Sequence, residues 1–595
     1  MVATSGLTWS LLLLAASTCT NALSLHHKKF DGQVQRVNKG EHQHGHHVHT
    51  TCTDKMQDDL RSRGILPPRQ LNESDTSVDQ WVTLPLDHFG SDERTFDNRY
   101  WISASGYEGA GKPVFIFDNG EQAGHYSWVD YGWFKDMVDS FGGIGISWEH
   151  RYYGESISFN ITTETDPEDM KFLSVEQALA DVAVFASNFS HPAYPDVDLT
   201  PSSTPWIFVG GSYPGIRAAL MRELYPEIIY AAYAASAPVE ARVNMSSYFD
   251  PIWDGMHRYG YGNCTEDVRA ALLHMDELLA DDESAAAVKQ QFLGPNADKN
   301  SNGDFAYALS TLWFGWQSSG PKGTIAGFCD YLETRDVVAA NATTTNRTTT
   351  LTAGEHGWAP KMGAAWVLQK WAEWPQLAAT VSTDCAGNAG IASPQTPSSS
   401  NSSSSSSDPT CDLSTLSLAT SIDDISWTWQ YCTQWGFLHA ANTGPKQLTS
   451  AYNSVSYQLS LCQRQFPLAA AAGILPAAPA ADALNELTGG WGMRPSNTFW
   501  TAGEFDPWRT LSPLSDDDDG DDDGAPVAWL TQTPPACGER GEEGGELFGF
   551  LLPDAQHCYD FAETDVAVQA RGYFTSALEG WLECFEPTSG GGGGY

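Results

Sequence analysis

Three residues of this 595-residue chain stand where apolar runs stop: Ser212, Asp506 and His557. Ser212 ends Trp206-Ile-Phe-Val-Gly-Gly and begins Tyr213-Pro-Gly-Ile-Arg-Ala-Ala-Leu220, a strand pattern passing abruptly into a helical one. A serine at such a turn can act as a nucleophile whose hydroxyl is held exposed on strained backbone. A hydroxyl is a weak nucleophile at its own pKa, so a neutral imidazole must take its proton during attack. A carboxylate must then orient the imidazole and stabilise its cation. Asp506 follows Ser496-Asn-Thr-Phe-Trp-Thr501, with Pro507 behind it, and His557 follows Leu547-Phe-Gly-Phe-Leu-Leu552. The order Ser, Asp, His is that of one large class of α/β hydrolytic enzymes.

Other residues compete for these roles. His88 and His150 also neighbour carboxylates, but both precede the serine. His150 reads as part of a structural cluster with Glu149 and Arg151. Asp554 and Asp560 lie beside His557 in sequence rather than on a separate strand, so both rank below Asp506. An oxyanion also needs backbone donors. Tyr213 N–H is the first candidate, and the loop Asn119-Gly120-Glu121 after the strand Val114–Phe117 is expected to supply the second, at Gly120. Pro214 departs from G-x-S-x-G by taking the second glycine position. Proline is tolerated in a first helical turn, where its missing N–H would go unbonded anyway.

These residues need a scaffold that brings distant strand ends together. From Trp81 the chain alternates strands with helices: Val114–Phe117, Gly143–Trp148, an amphipathic helix from Ser174 to Phe189 with a capping box at Ser174 and Gln177, then the serine turn and Ile228–Ala235. Such alternation implies a mostly parallel sheet with right-handed crossovers, an α/β-hydrolase fold. Between about 245 and 485 helical patterns dominate, broken by polar loops at 296–304 and 340–352, a serine run at 398–407 and an alanine-rich stretch at 468–481. Strand texture returns after 490, and a last helix covers about 565–585. The reading is therefore residues 1–22 a signal peptide, 23–75 a polar His-rich pro-segment, 76–244 the first part of the hydrolase domain and 245–485 an inserted helical cap. Residues 486–586 form its second part and 587–595 a glycine-rich tail.

The formal charge of -42 argues against nucleic acid or anionic membrane as partners. The apolar stretch Leu7–Ala16 is too short to span a bilayer and no later stretch is long enough, so a signal peptide and no membrane span are expected. Ten cysteines remain after the signal, an even set suited to disulfides, with Cys385 and Cys411 flanking the serine run as one expected pair. Acceptor sequons for glycans begin at Asn72, Asn160, Asn188, Asn244, Asn263, Asn341, Asn346 and Asn401. Secretion or a lysosomal or vacuolar location follows. The tract His42–His49 has no carboxylate or thiol to complete a metal shell, so neither a metal nor a cofactor is expected.

The segments Leu86-Asp-His-Phe89, Phe96–Tyr100, Glu149-His-Arg-Tyr-Tyr-Gly154, Glu176–Asp181, Gly210-Gly-Ser-Tyr213, Trp427–Cys432 and Asp506-Pro-Trp508 occur in one order. Together they resemble the serine peptidase family of lysosomal Pro-Xaa carboxypeptidase, dipeptidyl peptidase II and the fungal acid prolyl endopeptidases. The resemblance runs from about 80 to 585. It implies cleavage after proline in peptides or proteins, an acidic pH optimum and a triad at Ser212, Asp506 and His557. Two positions depart from the pattern: Gln434 where many members have glutamate, and Ala502 where asparagine is usual. Proline's compact ring, lacking an N–H, suits an apolar pocket. The wall is expected from the Trp-rich insert (Trp313, Trp316, Trp427, Trp429, Trp435), with Glu121, Trp429 and Trp435 as substrate contacts. An esterase or lipase on the same fold, or a glycosylated surface protein without catalysis, remain the alternatives. Exo- or endopeptidase mode and oligomeric state, a homodimer included, stay open.

Overall fold

A computed structural model describes residues 76–338, 348–382, 384–385, 410–515, 529–542 and 544–588. The signal-like stretch, the histidine tract, the serine and aspartate runs, Cys52 and the sequons at Asn72, Asn341, Asn346 and Asn401 lie outside them.

Thirteen strands are present among the described residues: β1 (Gln80–Pro85), β2 (Thr95–Ser103), β3 (Val114–Asp118), β4 (Ile144–Trp148), β5 (Trp206–Gly211), β6 (Ala231–Ala235), β7 (Arg242–Asn244), β8 (Thr334–Val338), β9 (Thr348–Thr352), β10 (Gly436–Leu438), β11 (Thr498–Gly503), β12 (Trp529–Thr531) and β13 (Glu546–Leu552). Nine of them make one sheet in the order β1-β2-β4-β3-β5-β6-β11-β13-β12. β1 to β2 and β2 to β4 are antiparallel and every other pairing is parallel. This is the α/β-hydrolase architecture.

Every residue of β3, β4 and β6 is buried, as parallel strands covered on both faces must be. Alternate side chains feed two cores. Val114, Ile116 and Phe208 join Leu179, Val182, Ile216 and Leu220 from the helices Val175–Ser187 and Tyr213–Leu224. Phe115, Phe117 and Val209 face the other way, onto Phe134, Phe574 and Leu578 from Trp133–Ser140 and Asp565–Leu582. Ser174 caps its helix as expected, its hydroxyl accepting from Gln177 N–H.

Between β6 and β11 the chain is mostly helical and packs into the larger core. Disulfides Cys264–Cys329, Cys385–Cys411 and Cys432–Cys462 staple this part, and Cys537–Cys584 ties the last helix to the loop before β13. The expected pair is thus formed. Cys558, however, is a free thiol, so not every member of the even set is in a disulfide. Two of the stretches read as loops, one polar and one alanine-rich, also carry regular structure. Residues 334–338 and 348–352 pair as an antiparallel hairpin, and 467–472 is a helix with Pro467 in its first turn.

Candidate active site

Strands β5, β11 and β13 are parallel within one sheet, so their carboxyl ends share an edge, and Ser212, Asp506 and His557 follow those three ends. Ser212 adopts φ 65° and ψ -131°, left-handed backbone that costs a non-glycine residue about 1–3 kcal/mol and is retained where surrounding structure enforces it. Enforcement is visible on both sides. Its N–H donates to Ala235 at the end of β6 (2.9 Å), and its carbonyl accepts from Ile216 (3.0 Å).

The small residues around it are steric necessities. A Cβ on Gly210 would lie 2.2 Å from the Pro214 carbonyl oxygen, and one on Gly215 2.5 Å from the Ala235 carbonyl oxygen. Gly120, at φ +62°, presses its Cα against the Pro214 ring, where a Cβ would come within 2.1 Å of Cγ. The unexpected proline is therefore packed against the loop after β3.

Asp506 is fully buried and His557 nearly so. The imidazole Nδ1 lies 2.8 and 2.9 Å from the two Asp506 oxygens, and Trp508 N–H donates to the same carboxylate (2.9 Å). His557 N–H donates to the Gln317 carbonyl (3.2 Å), which anchors the histidine loop to the helical insert. On the serine side, Cys558 N–H donates to Ser236 Oγ (2.9 Å). A Cβ on Gly211 would meet Cys558 Sγ at 3.0 Å and the Phe561 ring at 2.6 Å. The residue before Ser212 and the residue after His557 are thus in contact. Burial pulls the imidazole pKa down, but the Asp506 carboxylate and Cys558 outweigh it and hold it well above its ordinary value.

The competing residues are engaged elsewhere. His88 Nε2 binds Asp181 (2.7 Å), and Arg151 forks onto the same carboxylate. Glu149 pairs with Arg99 rather than Arg151, and also accepts from Ser156 Oγ, which corrects the expected cluster. His150 Nε2 meets the Tyr213 hydroxyl (3.0 Å), which also accepts from Gln430 (2.8 Å). That buried network fixes the tyrosine beside the serine. Asp560 accepts from Tyr233 and Thr501 hydroxyls, and Asp554 pairs with Arg258 at the surface.

Two expectations need correction. Gly120 N–H is already bonded to Asp118 Oδ1 (2.9 Å), so it cannot serve an oxyanion without breaking that bond. Asp118 is held in turn by buried Arg217 (3.0 Å). Trp429 is not brought to the site either. Its ring packs edge-on against Phe466 and lines a small cavity with Thr162, Met170 and Leu468. Trp435 does approach, with its ring 6.1 Å from Tyr213 and stacked on Phe437, and Trp427 stands 5.4 Å from Tyr213. From there an aromatic wall runs through Phe437 to Trp508, whose ring is 6.2 Å from that of His557. Gln434 accepts from Val175 N–H and donates to Glu176, holding a helix N-terminus. Glu121 is partly exposed. Desolvation raises its carboxyl to about 7 against the pull of a hydrogen bond from its own N–H and of nearby His557.

Residues 84–359 and 375–521 match the family described as Serine carboxypeptidase S28. The chain belongs to that family. The match takes in Ser212 and Asp506 and ends before His557. This family member is 26% identical to the "Probable extracellular serine carboxypeptidase" of Arthroderma benhamiae, over 80% of its own length and 63% of the fungal protein's. It is 27% identical to the "Thymus-specific serine protease" of Mus musculus, over 84% of this chain and 87% of that one. It is also 31% identical to the mouse "Lysosomal Pro-X carboxypeptidase", over 32% and 39% of the two chains. Among solved structures, proline iminopeptidase of Mycobacterium smegmatis aligns at 12% identity and a TM-score of 0.29, over 84% of this chain and 99% of that one. The fold assignment rests on the strand order and not on that likeness. Among the described residues four disulfides form and no helix is long and apolar enough to cross a membrane.

Proposed function

We propose that this S28 serine peptidase hydrolyses peptide bonds on the carboxyl side of proline, through a triad of Ser212, His557 and Asp506. The observation that carries the reading is the buried Asp506–His557 pair set beside a serine held in left-handed backbone. In the proposed reaction, Ser212 Oγ attacks the scissile carbonyl while His557 Nε2 takes its proton. The C–N bond then breaks as the imidazolium protonates the leaving amine. Water, deprotonated by the same imidazole, attacks the resulting acyl ester, and the returned proton regenerates the serine. Asp506 holds Nδ1–H throughout and stabilises the cation. Tyr213 N–H is the first oxyanion donor; Gly120 N–H and Glu121 N–H both already bond a side-chain carboxylate, so the second donor requires one of these two loop bonds to open.

Proline selection finds support in the aromatic wall of Trp427, Trp435, Phe437 and Trp508, which offers apolar faces to a compact ring that needs no hydrogen-bond partner. Secretion, glycosylation and homodimer formation are part of the same proposal. Of the sequons in described residues, Asn160, Asn188 and Asn244 are exposed and Asn263 is half-buried; the amides of Asn188 and Asn263 donate to the Val184 carbonyl and to Glu333. Digestion of a peptide ladder with proline at successive positions, at pH 5 and pH 7, tests the reading by mass spectrometry. Cuts confined to the bond after proline are expected. Cleavage indifferent to proline, or hydrolysis of short-chain esters alone, would refute it.

A further inference from the structure

The segment that carries the aromatic wall is unusual in its backbone and its unpaired atoms. Residues 431–435 form one π-helical turn, and Gly436 and Phe437 then both take positive φ, +78° and +58°. A Cβ on Gly436 would strike the Arg242 carbonyl at 2.4 Å, because β10 lies against β7 there. A non-glycine residue in this region stores strain, which persists only where the surrounding structure enforces it and recurs at functional sites.

That next polar side chain is His439. Its backbone is fixed from behind, the carbonyl accepting from Asn453 Nδ2 (2.9 Å). Its ring stacks on Tyr248 at 4.0 Å and meets Trp508 and Phe314 at 5.3 and 5.4 Å. Trp508 Nε1 and the Tyr248 hydroxyl both donate to Gln317 Oε1, and the Gln317 carbonyl receives His557 N–H. The ring of His439 is therefore one aromatic layer from the imidazole of the triad. Its Nε2 is buried with no hydrogen-bond partner, as is Nε1 of Trp435 four residues earlier. Leaving a buried polar atom unpaired costs about 1–3 kcal/mol; other buried atoms here are also without a protein partner, Nε1 of Trp133, Trp148, Trp358 and Trp491 among them, and His439 Nε2 is set apart by lying one ring from the triad imidazole. A histidine serving only as core would be expected to have both nitrogens satisfied or solvated.

We infer that His439 is a specificity-determining residue, whose Nε2 hydrogen-bonds a main-chain amide group of the peptide bound against Trp508. The inference rests on the peptidase reading and adds a polar anchor to a wall otherwise apolar. A main-chain amide is the partner that fits, since it is uncharged, present in every peptide, and able to donate or accept according to the imidazole tautomer. Burial pulls the His439 pKa down to about 3, so the anchor stays neutral in acid where an exposed histidine would be charged.

The test is calorimetric binding of an uncleaved Pro-containing tetrapeptide to Ser212→Ala protein, with His439→Phe and His439→Gln added singly. Phenylalanine keeps the stack on Tyr248 and removes the nitrogen, while glutamine returns a neutral amide near the position of Nε2. A Kd about tenfold weaker for His439→Phe, restored to within about threefold by His439→Gln, is expected, with matched melting temperatures. An unchanged Kd in His439→Phe would overturn the inference alone. Equal weakening by both substitutions would do the same, since it marks a packing role. If His439→Phe fails to fold, His439→Gln carries the test, and a tenfold loss in it overturns the inference. A parent protein that binds no peptide would refute the peptidase reading and this inference together.

Discussion

Buried Glu333 should make the stability of this protein depend on pH in a direction opposite to ordinary acid denaturation. Its carboxyl ends the helix Thr324–Glu333, accepts from Asn263 Nδ2 (3.0 Å) and faces the carboxylate of Asp267. Asp267 is the member of the pair suited to carry the charge, because it accepts the N–H groups of Trp358 and Ala359 (2.6 and 2.7 Å). Desolvation and that neighbouring charge push Glu333 up to about 8, against the pull of Lys370, from an ordinary value of 4.5. A carboxyl whose folded pKa is raised binds its proton more tightly folded than unfolded. Its contribution is therefore complete below about 4.5 and is lost as pH climbs to about 8. Each pH unit in that window is worth about 1.4 kcal/mol, so the loss is at most about 5 kcal/mol. With unfolding entropy of about 2 cal/mol/K per residue, roughly 500 folded residues convert this into a fall of up to about 5 °C. Glu333→Gln mimics the protonated form. Thermal melts from pH 4.5 to 8.5 should show wild type and variant together in acid, with the variant melting progressively higher as pH rises. Parallel curves across the window would refute the reasoning.

Three further outcomes concern the site. Asp506→Asn should lower kcat by about four orders of magnitude while leaving KM for a proline peptide within a few-fold, because the imidazole loses its tautomer and orientation; steady-state kinetics checks this. The acid limb of kcat/KM should lie above the ordinary imidazole value, since Asp506 and Cys558 outweigh burial at His557 and the base is lost as pH falls through that raised pKa. A limb near pH 4 in the wild type would contradict that assignment, although the resemblance implies an acidic optimum. Gly120→Ala places a Cβ 2.1 Å from Pro214 at φ +62°. It should cost about 1–3 kcal/mol by overpacking and lower kcat at least tenfold, read by melting temperature and kinetics.

What the sequence disclosed, and what it hid, follows from how far each feature is local. The strand-to-helix switch at Ser212 and the ends of β11 and β13 are written in consecutive residues, so the three strand ends and their order could be read before any fold was known. Which face of a helix meets the site is not written there. Trp427 and Trp429 are two residues apart on one helix, roughly 200° around its axis. Either could have approached Tyr213, and only tertiary packing sends Trp429 to Phe466. The Gly120 donor failed for a similar reason, since Asp118 turns back onto it while pairing with an arginine 99 positions later. His439 carried no signal in its neighbours at all. Its unpaired nitrogen becomes evident only when Tyr248, Phe314 and Trp508 close around it.

The central claim is that Ser212 is the nucleophile and His557 its base. It is tested most directly by active-site labelling with a fluorophosphonate, mapped by mass spectrometry of the whole chain. The account predicts one labelled residue, Ser212, with labelling abolished in Ser212→Ala and strongly slowed in His557→Ala. Label on another serine, or none on correctly folded protein, would contradict it.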